Sequence, residues 1–130
     1  MNKFVIDTQA LIKFLNGKKV ISDSIDSILK DADKGRNIII VPSIVLFEIG
    51  YLHEKDRIPI ALKDIEEIME NSFNYVEEKL SMNIIKTAFE IKGIPELHDR
   101  LIAGTAKYLN LPLITNDPVI LKTETVECVR

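Results

Sequence analysis

With 130 residues, 46% of them hydrophobic and 28% charged, the chain has enough material for one domain around one core and is unlike a disordered polymer. A net charge of −3 excludes a protein that coats polyanions by general basicity. The single cysteine, Cys128, excludes an internal disulfide framework and a cysteine metal site, and it fits a reducing cytoplasm.

From the start of the chain, residues 3–7 read as a short buried strand, Phe4-Val5-Ile6 closed by Asp7. The acid breaks this apolar run too early for a signal peptide, and no later run approaches the ~18 apolar residues of a membrane span. Thr8 is placed to cap a helix with Leu11, Ile12 and Leu15 on one face, ended by Gly17. Lys18-Lys19 and Lys34-Gly35-Arg36 read as solvated loops. Ser22 or Asp23 opens a second helix with Ile25, Ile28, Leu29 and Ala32 as its stripe, stopped by Gly35. Residues 37–41 are almost purely β-branched, as in a strand buried on both faces. Pro42 suits the junction with a helix over 43–55, and another helix spans 61–70 with Ile65, Ile68 and Met69 inward. A short strand over 73–77 precedes a helix over 81–92, which turns Ile84, Ile85, Ala88 and Phe89 to the core and ends at Gly93. The remainder reads as a helix over 99–110, a strand over 113–115, a helical turn over 118–121 and an edge strand over 125–129, where Cys128 is a small core residue.

Strands alternating with helices imply an α/β fold, a three-layer α/β/α arrangement with a short, mainly parallel central sheet, expected as a single domain over 1–130. In such sheets ligands sit beyond the carboxyl ends of the strands, near a switch in strand order. If the first and fourth strands are neighbours, acids at their ends meet on one rim.

Asp7, Glu48, Asp99 and Asp117 each stand beside an apolar or small-residue run, where an unpaired carboxylate costs several kcal/mol. No Lys or Arg directly neighbours Asp7, Glu48 or Asp117 in sequence. A shared hard cation such as Mg²⁺ or Mn²⁺, which prefers oxygen ligands, neutralises them together and supports phosphodiester hydrolysis without a catalytic His or Ser. Each acid also has a plain structural reading. Asp7 and Asp117 sit where turn or capping residues belong, Asp99 can cap its helix, and Glu48 can belong to a solvated helix face. His53 and His98 read as surface or cap residues, and Arg100 as a phosphate contact or a partner for an acid.

Taken together, Val5-Ile6-Asp7-Thr8-Gln9-Ala10-Leu11-Ile12, the helical Glu48, the block His98-Asp99-Arg100-Leu101-Ile102-Ala103-Gly104-Thr105-Ala106, and Leu113-Ile114-Thr115-Asn116-Asp117 resemble a PIN domain, most closely the VapC-type toxins of toxin–antitoxin pairs. The resemblance covers nearly the whole chain. It implies a Mg²⁺- or Mn²⁺-dependent endoribonuclease, with Asp7, Glu48, Asp99 and Asp117 as catalytic metal ligands and Thr115 orienting carboxylates. It implies RNA as substrate, an antitoxin protein as partner and a homodimer, with no membrane association. Gly104 stands where the family usually carries a slightly larger residue, which adds flexibility to a packed helix.

The same residues serve a PIN-type RNA-processing nuclease without an antitoxin. A different class, an aspartyl-phosphate phosphatase or receiver module, is disfavoured. The phosphatase needs a second Asp where Gln9 stands, and the receiver wants a Lys where Thr115 and Asn116 stand. Glycines 17, 35, 50, 93 and 104 form no phosphate-cradling loop. Tyr51, Leu52 and Ile58-Pro59-Ile60 suggest an apolar surface beside the acidic helix, suited to a partner.

Overall fold

The computed structural model describes residues 1–17 and 21–130; Lys18 and Lys19 lie outside the described residues. The elements run β1 (Asn2–Ile6), α1 (Thr8–Leu15), α2 (Asp23–Asp33), β2 (Asn37–Pro42), α3 (Ser43–Glu54), α4 (Leu62–Asn71), β3 (Tyr75–Glu78), α5 (Met82–Glu90), α6 (Leu97–Leu109), β4 (Leu113–Ile114), α7 (Pro118–Thr123) and β5 (Cys128–Val129). The strands form one five-stranded sheet in the order β3-β2-β1-β4-β5, with every pairing parallel. Consecutive residues of β1, β2 and β4 are buried (Val5 and Ile6, Ile39 to Val41, Leu113 and Ile114), so helices cover both faces of the sheet.

The strand order places β1 between β2 and β4. The chain moves outward from β1 to β3, then crosses back to start β4 on the other side. Val5 pairs with Leu113 and Ile6 with Ile114, so β1 and β4 end together. The Asp7 N–H continues the ladder onto the Ile114 carbonyl at 3.1 Å. The segments after both strands leave the sheet at that level, and the crevice between them is the switch point where such folds bind ligands.

Several boundaries differ from the sequence reading, each for a local reason. Asp7, not Thr8, caps α1: its carboxylate accepts from the Ala10 N–H at 2.8 Å. The strand expected from Phe73 begins at Tyr75, and Phe73 is 97% exposed. Pairing starts where the Asn74 carbonyl accepts from the Ile39 N–H and its side-chain amide donates to the Asn37 carbonyl. Helix α5 stops at Glu90 because the chain must extend to bury Ile91 and Ile94 in the core. Phe89, expected to face the core, is 67% exposed with the Arg100 guanidinium 5.7 Å from its ring centre. Cys128 is half-buried at the sheet edge rather than enclosed.

Gly104 is a close-packing position, not a loose one. A Cβ there would stand 2.8 Å from the Ala88 Cβ and 2.9 Å from the Ala88 Cα, so α6 lies against the backbone of α5. Gly104→Ala should lower stability by about 1–3 kcal/mol through overpacking. Thermal melts should show Ala88→Gly restoring only part of that loss, because the contact includes main-chain atoms. An unchanged melting temperature for Gly104→Ala would show that the helices can separate without cost.

Candidate active site

Beyond the carboxyl ends of β1 and β4 lies a cleft of about 380 Å³ lined by Asp7, Glu48, Asp99 and Asp117, with Thr8, Gln9, Ala10, Lys13, Glu96, Ile102 and Asn116. All four acids singled out from the sequence therefore face one space. They reach it from separate elements: the end of β1, the middle of α3, the first turn of α6, and the turn between β4 and α7.

Asp7 is the most constrained. One carboxylate oxygen caps α1 through Ala10; the other accepts a short hydrogen bond from the Thr115 hydroxyl. Burial pushes its pKa up, opposed by the Thr115 and Ala10 bonds, raised further by Asp117 and lowered by Lys13. Thr115 is fully buried, and its hydroxyl oxygen accepts from the Asp117 N–H at 3.0 Å. One hydroxyl thus ties the first acid to the backbone of the fourth. Asp117 caps α7, accepting from Val119 at 2.8 Å, so its capping role and its place in the cleft coexist.

Glu48 does not sit on a freely solvated face. Its side chain is one-quarter exposed, and one oxygen accepts from the Thr8 hydroxyl at 2.7 Å. Asp99 does not cap α6, as the sequence suggested. Glu96 does so, taking the Asp99 N–H at 2.7 Å, and leaves the Asp99 carboxylate without a hydrogen bond among the described residues. Burial, then the charges of Asp117, Glu96, Glu48 and Asp7, push the Asp99 pKa up to about 6.

The other candidates find different roles. His98 bonds Glu96 at 2.8 Å and stands 3.9 Å from Glu48. His53 bonds the Ile58 carbonyl, away from the cleft. Arg100 pairs with no acid among the described residues: its Nε donates to the Ile94 carbonyl at 2.8 Å. Sequence reasoning missed Thr8 as the Glu48 donor, and it missed Glu96, Gln9, Lys13 and Asn116 as lining residues. For Gln9 and Lys13 a signal existed, since their i, i+4 spacing after Asp7 puts them on one helix face.

Among the described residues, no three Asp, Glu, His or Cys side chains stand close enough together to hold one metal ion as they are placed. Among the described residues, five carboxylates line an open cleft with a single lysine, a donor set of hard oxygens. That suits Mg²⁺ or Mn²⁺, and Mg²⁺ usually keeps several waters and takes only one or two protein carboxylates. No Cys faces the cleft among the described residues, so the set does not suit a soft metal.

A profile described as "PIN domain" matches residues 4–125, and the chain belongs to the PIN domain family. Among solved structures it is similar to VapBC2 from Rickettsia felis bound to a DNA fragment from their promoter, at 20% identity and a TM-score of 0.72, covering 98% of this chain and 97% of that one. It is also similar to DNA-bound VapBC from Salmonella typhimurium (19%, TM-score 0.68, 99% and 98% covered). VapBC-5 from Mycobacterium tuberculosis, a member of the VapBC family of toxin–antitoxin systems, is similar too (18%, TM-score 0.60, 100% and 99% covered). No curated protein matches the chain. At these identities the likeness is one of fold, and it spans essentially the whole chain. No helix among the described residues is long and apolar enough to cross a membrane.

The site makes a pH-dependent demand on stability. Asp99 binds a proton more tightly in the folded state than at its ordinary value of 3.8. Between that value and about 6 the native state holds more protons than the unfolded chain, so stability falls as pH rises through this window. Metal-free protein should lose melting temperature between pH 4 and pH 6, and Asp99→Asn should flatten that part of the profile. A parent profile identical in slope to that of Asp99→Asn would show that Asp99 binds its proton no more tightly in the folded state.

Proposed function

We propose that this protein is a Mg²⁺- or Mn²⁺-dependent endoribonuclease and the toxin of a toxin–antitoxin pair. The observation that carries the reading is the meeting of Asp7, Glu48, Asp99 and Asp117 in one cleft at the strand-order switch, where burial and then the neighbouring acids push the Asp99 pKa up to about 6. PIN domains of this kind are generally nucleases, and the similar structures are VapBC complexes.

When bound, the divalent ion supplies the positive charge that admits a phosphodiester to an acidic cleft and makes water a competent nucleophile at neutral pH. Asp7, Glu48, Asp99 and Asp117 would hold it. Thr115 keeps one Asp7 oxygen in place, Ala10 fixes the other, and Thr8 orients Glu48. Asp7 is poorly suited to nucleophilic attack, since both its oxygens already accept hydrogen bonds; this weighs against an aspartyl-phosphate module.

Purified protein should cleave single-stranded RNA only with Mg²⁺ or Mn²⁺ and leave 5′-phosphate ends, the products of attack by water rather than by the 2′-hydroxyl. Asp7→Asn and Asp99→Asn should each lose most activity while remaining folded. Thr115→Val should lose roughly 10–100-fold, as expected for a residue that orients a ligand, and Thr115→Ser should retain most of it. Cleavage in excess chelator, or 2′,3′-cyclic phosphate ends, would overturn the mechanism.

The antitoxin and a second copy of the chain are the expected partners. Leu52, Ile58 and Ile60 are partly buried against the core, so the apolar surface of α3 rests on Phe47 and Tyr51, 66% and 49% exposed, with Leu62 on α4. Co-expression with the neighbouring gene's product should yield a complex in which RNA cleavage is suppressed, and Phe47→Glu should weaken a contact on this face. A nuclease of RNA maturation without an antitoxin would instead remain active in every co-expression and be harmless to its host.

A further inference from the structure

Lys13 lines the acidic cleft without closing on any of its acids. Elsewhere lysines do reach carboxylates: Lys30 meets Asp26 at 2.7 Å and Lys107 meets Glu90 at 3.7 Å. Among the described residues Lys13 forms no ion pair within 4.0 Å, although five carboxylates share its cleft. It stands four residues after Gln9 on α1, and both side chains line the cleft, so one helix face offers an ammonium and an amide side by side. Because Asp7 caps α1, this face is held in a fixed relation to the buried carboxylate.

These facts describe a place for an anion. Among the described residues the other charged groups lining the cleft are acids, and Arg100, beside Asp99 in sequence, is committed to the Ile94 carbonyl and the Phe89 ring. An RNA strand brings a phosphate at every nucleotide, and a cation held by the acids answers only the phosphate beside it. The next phosphate along needs a separate positive donor. An uncommitted lysine is a compact, mobile one, and Gln9 adds a neutral N–H donor.

We propose that Lys13, with Gln9 beside it, binds the phosphate adjacent to the one being cleaved and so sets the position of the RNA strand in the cleft. The inference rests on the ribonuclease reading above. Lys13 is a positioning residue here and takes no part in bond breaking. The competing structural role is a cation favouring the last turn of α1, which would act on stability alone.

The test uses the full chain with a fluorescently labelled single-stranded RNA. Cleavage kinetics in saturating Mn²⁺ are paired with binding of a cleavage-resistant phosphorothioate analogue of the same RNA, also in Mn²⁺, over a salt series from roughly 50 to 200 mM. Lys13→Gln should raise KM about three- to tenfold with kcat little changed, and should reduce the salt slope of binding by about 0.7, the value for one phosphate contact on a single strand. Lys13→Arg should restore both. Melting curves and Mn²⁺ affinity of each variant should match the parent. A parent that cleaves while Lys13→Gln leaves KM and salt slope untouched overturns the proposal. So does a lower melting point or tighter Mn²⁺ binding without a change in slope, which would make Lys13 a helix or Asp7 counter-ion. A parent that neither binds nor cleaves RNA refutes the ribonuclease reading itself, and this inference falls with it.

Discussion

The hydroxyl of Thr115 joins two parts of the chain more than a hundred residues apart. It donates to the Asp7 carboxylate and accepts the Asp117 N–H, in a position with no solvent exposure. The bond to Asp7 is available only where β1 and β4 lie side by side and in register, a pairing made when the chain crosses back over the sheet after β3, whereas the Asp117 bond is local to the turn after β4. A buried carboxylate without such donors would be expensive enough to displace the strand end. With them, Asp7 can be buried, can cap α1 and can present its charge to a cleft.

From that anchor the cleft assembles by short reaches. Helix α1 starts on Asp7 and brings Thr8 to Glu48 and Lys13 to the rim. Helix α6 starts on Glu96, which uses its own carboxylate on the helix N–H groups and leaves that of Asp99 uncommitted. The approach of α6 to α5 through Gly104 settles how deeply α6 sits, and Asp99 stands five residues before that contact. Acids that repel one another are therefore held by structure that does not depend on their charge. Burial first, and the neighbouring acids after it, raise the pKa values of Asp7 and Asp99. A cation relieves that repulsion, and this is the usual compromise between stability and a working site.

The sequence was informative where a residue type contradicted its surroundings. Asp7 after Phe4-Val5-Ile6 and Glu48 within an apolar helix announced themselves because burial and charge conflict there, and the alternation of strand and helix set the parallel sheet. It was silent where a role depends on a partner distant in sequence. Nothing in Thr8 points to Glu48, forty residues away. Glu96 is not among the residue types that favour a helix N-cap, so Asp99 looked the better one. Phe89 fits the apolar stripe of α5 by spacing but sits outside because the chain leaves the helix to bury Ile91 and Ile94. Gly104 read as loose because the neighbour that requires it, Ala88, is visible only once α5 and α6 are packed.

The central claim is that the four acids act as one cation-binding unit, and Mn²⁺ titration calorimetry on the metal-free protein at neutral pH tests it most directly. Asp7→Asn and Asp99→Asn, taken separately, should each abolish or greatly weaken binding. Glu66→Gln, at an acid that lines a different groove on α4, should leave it unchanged. Equal Mn²⁺ binding by all four proteins would contradict the account, because the acids of the cleft would then be ordinary caps and surface charges.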